Sequence, residues 1–304
     1  MCPSFMIERL LSPTVLASLG RLDLVARTVV EGFLVGLHHS PYHGLSHEFA
    51  EHRPYFPGDE FRRVDWRVFG RTDRLFVKEF DEETNVTVRL LFDVSGSLSF
   101  APGDVSKIEF GRFLVAALAY LAIRQNDRVG LVCFNDDVRE RTRTRGGRRH
   151  LHSVLGALER VQADGRTNVG SNVLREASQW KSRSMAILVS DLYDEPDPIV
   201  DAVARVRRVG HDVIVFQLRD RAERLLERRG TFEFQDLETG ERLIADTDRI
   251  RKLYIKQTRE QCENFRREFE RAGAEYVELD TAEPLDKALS IFLRRRKARR
   301  LRGR

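Results

Sequence analysis

Five oxygen-bearing side chains stand out by type and spacing. In FDVSGSLSF, residues 92–100, Asp93, Ser95 and Ser97 occupy alternate positions directly after the apolar run VRLLF. Asp191 follows a second apolar run, AILVS, and Thr167 lies in the loop GRTNVG ahead of a helix-like stretch. Together they form an all-oxygen donor set. Hard divalent cations take such ligands, and Mg2+ keeps several waters and needs only one or two direct carboxylates. Mg2+ is the expected ion, with Mn2+ and Ca2+ as alternatives. The set has no imidazole or thiolate, so it does not match zinc. The plain alternative is that Asp93 and the serines are turn and helix-cap residues, where Ser and Asp are common. Ser99 continues the alternation but reads as a turn or helix-entry residue. Asp93 is expected to face solvent, so that its removal leaves the core intact.

Other chemistries find fewer residues. DVSGSLS is neither G-x-G-x-x-G nor G-x-x-x-x-G-K-[ST], and no G-x-S-x-G occurs in the chain. Asp194 and Asp197 lie just beyond Asp191. They offer extra acids for the competing reading, a Mg2+-dependent hydrolase (phosphatase or nuclease) using Asp93 and Asp191. His38, His39, His43, His47 and His52 crowd one short segment. The spacing of His39, His43 and His47 would suit zinc on a helix, but Pro41 and Gly44 interrupt one there.

To act together, the five oxygens must be carried to one edge by strands. From Val86 onward, apolar strand-like runs alternate with helical stretches: VTVRLLFDV, then SKIEFGRFLVAALAYLAIRQN, DRVGLVCFND, SMAILVSDLYD and HDVIVFQLRD among them. VRERTRTR reads as a polar edge strand. That alternation predicts crossover units and a mainly parallel α/β sheet flanked by helices, whose ligands sit at the carboxyl ends of its strands. Residues 221–247 break the rhythm, and Glu238-Thr239-Gly240 between two extended pieces predicts a β-hairpin insertion. The expected layout has three parts. Residues 1–84 hold N-terminal helices, with Pro13 dividing a short first helix from a longer second, and then a His-, Arg- and aromatic-rich segment. In that segment HEFAEHRPY and RLFVKEF are candidates to pair as strands. Residues 85–296 form the α/β domain, and 297–304 a basic tail.

The chain has 304 residues and a net charge of +5. The last eleven residues, RRRKARRLRGR, hold eight basic residues and no acid, and the rest of the chain is slightly acidic. The positive charge is therefore a tail, open to nucleic acid or anionic lipid or simply a solvated helix end. It carries no interleaved aromatics, and nucleic acid is not the expected partner. No run of eighteen apolar residues predicts a membrane span, and the N-terminus lacks the pattern of a signal peptide. Cys2, Cys133 and Cys262 read as free thiols of a cytoplasmic protein.

Asp93, Ser95, Ser97, Thr167 and Asp191 match, in type and order, the metal-ion-dependent adhesion site of von Willebrand factor A domains, which this part of the chain resembles. The resemblance implies one bound cation with a position open to a partner's acidic residue. A longer stretch is similar to the bacterial "domain of unknown function 58" family. It includes Glu48-Phe49, Arg53-x-Tyr55, Pro57-Gly58-Asp59, Arg62, Asp65-Trp66, Arg71, Lys78, GHDVIVFQLRD and DLETGE. This resemblance implies a von Willebrand factor A-like fold and partnership with a MoxR-type AAA+ ATPase in protein-complex maturation or in stress or envelope processes. The adhesion-site resemblance, with its open position, implies binding rather than catalysis. Arg53, Tyr55, Gly58, Asp59, Arg62, Asp65, Trp66 and Arg71 are then either a partner-binding surface or salt-bridge and turn residues that pin an extra layer to the sheet.

Overall fold

The computed structural model describes residues 12–39, 52–55, 64, 66–78 and 86–302. Among the described residues two helices come first, α1 (Pro13–Ser18) and α2 (Leu22–His39). Pro13 opens α1, where a proline's missing N–H has no partner to lose, and the stretch ahead of it, where the short first helix was expected, lies outside the described residues. The break comes at Gly20, whose φ of 66° suits glycine.

β1 (His52–Pro54) and β2 (Phe76–Lys78) pair antiparallel, with Arg53 opposite Val77, as the two extended pieces suggested. Between them lies α3 (Trp66–Thr72), a short helix that WRVFGRT, with its glycine and β-branched residues, did not announce.

The rest is built on β3 (Thr87–Asp93), α4 (Lys107–Arg124), β4 (Arg128–Phe134), β5 (Val138–Arg141), α5 (Arg148–Arg160), α6 (Val169–Ala177), β6 (Met185–Ser190), α7 (Pro196–Arg208) and β7 (Asp212–Arg219). A short α8 (Arg221–Leu225) leads into the hairpin β8 (Thr231–Gln235) and β9 (Arg242–Asp246). Then follow α9 (Thr247–Arg271), β10 (Glu275–Asp280) and α10 (Asp286–Arg302). The expected mainly parallel sheet is present, in the order β10-β7-β6-β3-β4-β5. All neighbours are parallel except β4 and the edge strand β5.

The apolar runs explain this order. β6 is buried along its whole length and β3 at all but Arg89, as strands covered on both faces must be. One core cluster joins β3, α1, α2, α4, α5 and α10; a second, on the opposite face, joins β6, α6, α7 and α9. α4 is apolar nearly all round because α2 packs on the side turned away from the sheet. Its start is fixed by Ser106, whose hydroxyl accepts from the Glu109 N–H, with Glu109 completing a capping-box sequence. Among the described residues no helix is long and apolar enough to cross a membrane.

The basic C-terminus is less of a free tail than its charge suggested. α10 runs on to Arg302. Arg294 and Arg295 pair with Glu275, and the buried Arg296 clamps Asp127, with Nη2 2.8 Å from Oδ1. Cys133 and Cys262 are free and buried; Cys2 lies outside the described residues.

Candidate functional site

The chain leaves β3 and returns on one side of it as β4, while β6 lies on the other. A sheet whose connections reverse direction opens a crevice at the carboxyl ends of the strands on either side of the reversal. Asp93 ends β3 and Ser190 ends β6, so both stand at that crevice.

Asp93 is fully buried, not solvent-facing as its position at a strand end suggested. Its Oδ1 accepts the Ser95 N–H at 3.0 Å. Its Oδ2 accepts two hydroxyls, Ser190 at 2.6 Å and Thr167 at 3.2 Å. Ser95 and Ser97 lie side by side, Oγ to Oγ 3.1 Å: Ser95 is buried just ahead of a single 3₁₀ turn from Gly96 to Ser99, and Ser97 is half-buried on it. Ser99 is exposed and turns back to the Gly96 carbonyl, a local turn contact.

The Thr167 loop is held against β3 by its own backbone. Asp164 donates its N–H to Val94 O, and Gly96 donates to Gly165 O. Asn135, at the end of β4, closes the loop from below: its Nδ2 donates to Asp164 O, and its carbonyl accepts from Asn168 N–H and Asn172 Nδ2. Four of the five expected oxygens, on Asp93, Ser95, Ser97 and Thr167, are thus gathered by strand ends and loop.

Asp191 is differently engaged. Its Oδ2 lies 2.7 Å from Lys107 Nζ, and its Oδ1 receives the Tyr193 N–H at 3.4 Å. Lys107 also reaches Glu223 Oε1 at 2.7 Å. A lysine at the start of α4 thus enters the crevice already neutralising part of the acid there. The Tyr193 ring lies 4.9 Å from the ammonium. Leu192 holds an uncommon left-handed backbone (φ 57°) while its side chain is buried in the second core cluster. Asp194 does not join the site. Its two oxygens accept the Val169 and Glu195 N–H groups, tying it to the starts of α6 and α7. Asp197 is exposed in the first turn of α7.

Burial, and then the charge of Asp191, push the Asp93 carboxyl up to about 7, against the pull of the Ser190 and Ser95 donors. Burial opposes the Lys107 ammonium, but Asp191 and Glu223 outweigh it and the net shift is upward. Burial also raises Glu223, which Lys107 opposes.

Four participants, Ser190, Lys107, Glu223 and Glu238, were not singled out as site residues from sequence. Ser190 had a local signal, being the residue before Asp191 in AILVSD. Lys107 and Glu223 had none, and Glu238 was marked only as a turn residue within DLETGE. Glu238 belongs to the hairpin turn, and its Oε2 accepts the Thr167 N–H at 3.1 Å.

Of the second residue group, Arg53 lies on β1, and the half-buried Tyr55 donates its N–H to Leu75 O at 3.0 Å. Trp66 opens α3 and is 56% exposed, edge-on to Phe69, so it is not a core anchor. Arg71 is exposed in the last turn of α3. Gly58, Asp59, Arg62 and Asp65 lie outside the described residues, as do His43 and His47.

Among the described residues no three of His, Cys, Asp and Glu gather as a metal-holding group. A cation at this crevice would rely on hydroxyls and water beside Asp93, a donor chemistry that would fit Mg2+.

A mainly parallel sheet, helices on both faces and D-x-S-x-S at its reversal point define an α/β protein of von Willebrand factor A-like build. The chain belongs to the family described as "Protein of unknown function DUF58", whose model matches residues 51–264. An uncharacterized protein of Mycobacterium tuberculosis is 28% identical over 246 residues, 78% of this chain and 75% of that one. The BatB structure from Bacteroides thetaiotaomicron aligns over 69% of this chain and 98% of its own, at 15% identity and a TM-score of 0.49. The SpRpn10 VWA domain aligns over 68% of this chain and 94% of its own, at 11% identity and a TM-score of 0.42. Both of these likenesses concern the fold alone.

Proposed function

We propose that this chain is a non-enzymatic, cation-dependent protein-binding module that takes an acidic side chain of a partner protein. In this reading it is a cytoplasmic adaptor of a MoxR-type AAA+ ATPase. The observation that carries it is Asp93, a carboxylate fully buried at the open end of a central strand, with the Ser190 and Thr167 hydroxyls on one oxygen and the Ser95 N–H on the other. An ionised carboxylate in that position is costly unless a positive charge offsets it. Asp93, Ser95, Ser97 and Thr167 would hold the ion, with Asp191 as the adjoining acid. Mg2+ suits these donors best. When bound, it presents positive charge that a partner's carboxylate can meet.

Two further points favour binding over hydrolysis. Asp194, one of the acids a hydrolase would recruit, is spent on backbone N–H groups, and Asp197 faces solvent. The exposed Trp66 and Arg71 on α3 offer a surface suited to the ATPase.

The test is capture of the MoxR-type ATPase by the intact chain, in Mg2+ and in chelator, with wild type and Asp93→Asn. Asparagine keeps the size and most hydrogen bonds of the buried side chain. Capture that needs both Mg2+ and Asp93 supports the reading; capture indifferent to both overturns it.

A further inference from the structure

The hairpin β8–β9 reaches the same crevice from the other end of the chain. Its turn, Asp236 to Glu241, is stiffened by Asp236, whose Oδ1 accepts the N–H groups of Glu238 and Thr239. That turn lies directly on the cation-site loop. A methyl group added at Gly96, between Ser95 and Ser97, would stand 2.4 Å from the Leu237 carbonyl oxygen. Only a residue without a side chain lets the two backbones approach so closely.

Glu238 is the side chain this contact delivers. Its Oε2 takes the Thr167 N–H, while the Thr167 hydroxyl goes to Asp93. The Ser97 hydroxyl also stands beside the Glu238 carboxyl. The second oxygen, Oε1, is buried with no hydrogen-bond partner among the described residues. A carboxylate oxygen left buried and unpaired is expensive, and acids are usually turned to water to avoid it. Here it is shielded from water, on the carboxyl whose other oxygen holds the N–H of Thr167.

The rest of the hairpin is weakly held. No residue of β8 or β9 is buried, and Leu243 and Ile244 are 67% and 71% exposed. At its base, Thr247 bonds to Gly230, and Glu223 on the preceding α8 pairs with Lys107. Little apolar burial resists lifting of the tip, so it belongs to the low-stability end of the structure.

We infer that Glu238 is a carboxylate ligand supplied in cis, occupying the position that a partner's acidic side chain takes, so that a partner binds by displacing the hairpin tip. The inference rests on the cation-site reading above and adds to it what fills the position before a partner arrives. It also sets the partner's chemistry, an aspartate or glutamate on an exposed turn comparable to DLETGE. Affinity for such a partner is reduced by the fraction of molecules with the tip closed.

The experiment uses Mn2+ alone as probe on the full chain, reading affinity and the water-proton relaxivity of the bound ion. Glu238→Gln is compared with wild type, with Glu241→Gln as an exposed control on the same turn, and with Asp93→Asn. The expected result is a several-fold weaker Mn2+ affinity in Glu238→Gln. Relaxivity rises as water takes the vacated position, and added acetate lowers it again. Glu241→Gln behaves as wild type. Unchanged affinity and relaxivity in Glu238→Gln, with binding still lost in Asp93→Asn, overturn the cis ligand and leave the cation site standing. Mn2+ that fails to bind wild type overturns both. Acetate without effect on Glu238→Gln overturns the carboxylate character of the position.

Discussion

Lys107 and Asp191 form an ion pair, Nζ to Oδ2 2.7 Å, with both side chains wholly shielded from solvent. The sequence placed Asp191 among the cation ligands, yet half its carboxylate is committed to an ammonium from the first turn of α4. Glu223 shares that ammonium. Lys107→Met leaves two acids in the crevice without their cation. Removing one member of a buried pair costs about 3–5 kcal/mol, and urea denaturation in chelator should show a loss of that order. The loss should shrink in millimolar Mg2+ if a divalent ion can stand in for the lysine; a loss below about 1 kcal/mol in chelator contradicts the pairing.

Asp93 sets a pH dependence. Its carboxyl, near 3.8 when unfolded, is pushed up to about 7 in the fold by burial and by Asp191. A raised carboxyl favours folding while it stays protonated, so its contribution is full below about pH 4 and is lost as pH climbs through 7. In chelator, wild type should lose about 2 kcal/mol relative to Asp93→Asn between pH 5.5 and pH 8.5. Mg2+ should restore most of it at the higher pH. Parallel pH profiles of the two proteins in chelator would sink this account of the site.

Arg296 and Asp127 make a second buried pair, joining α10 to the start of β4, and Arg296 also reaches the Gln125 carbonyl. Arg296→Ala should cost about 3–5 kcal/mol. Ending the chain after Ala298 keeps Arg294, Arg295 and Arg296 and should change stability by less than about 1 kcal/mol. Thermal denaturation of the two variants separates an anchored helix from a dispensable tail.

Trp66 is 56% exposed, so Trp66→Ala should leave stability within about 0.5 kcal/mol. Aromatic residues concentrate binding energy at interfaces, and the same change should weaken ATPase capture by tenfold or more. Unaltered capture would assign α3 to the fold alone.

The parts of this protein that could be read along the chain are those set by local spacing. D-x-S-x-S after VRLLF placed Asp93, Ser95 and Ser97 at a strand end, and Glu238-Thr239-Gly240 marked the hairpin, because strand period and turn chemistry act over a few residues. Lys107, Glu223 and Glu238 were invisible as site residues. Each looks like an ordinary helix or loop charge, and only the β3–α4 crossover and the α8–hairpin insertion bring them to Asp191 and Thr167. Pro13 marks a helix start, because a proline fits the first position of a helix as well as it breaks an interior. Ser190 lay beside Asp191 in AILVSD; its role depends on β3 and β6 being neighbours, which no local pattern states.

The most direct measurement is calorimetric titration of Mg2+ into the purified chain at pH 8, with Asp93→Asn alongside. The account predicts one site per chain in wild type and none in the variant. Equal heats from both proteins, or no binding by wild type, would contradict it.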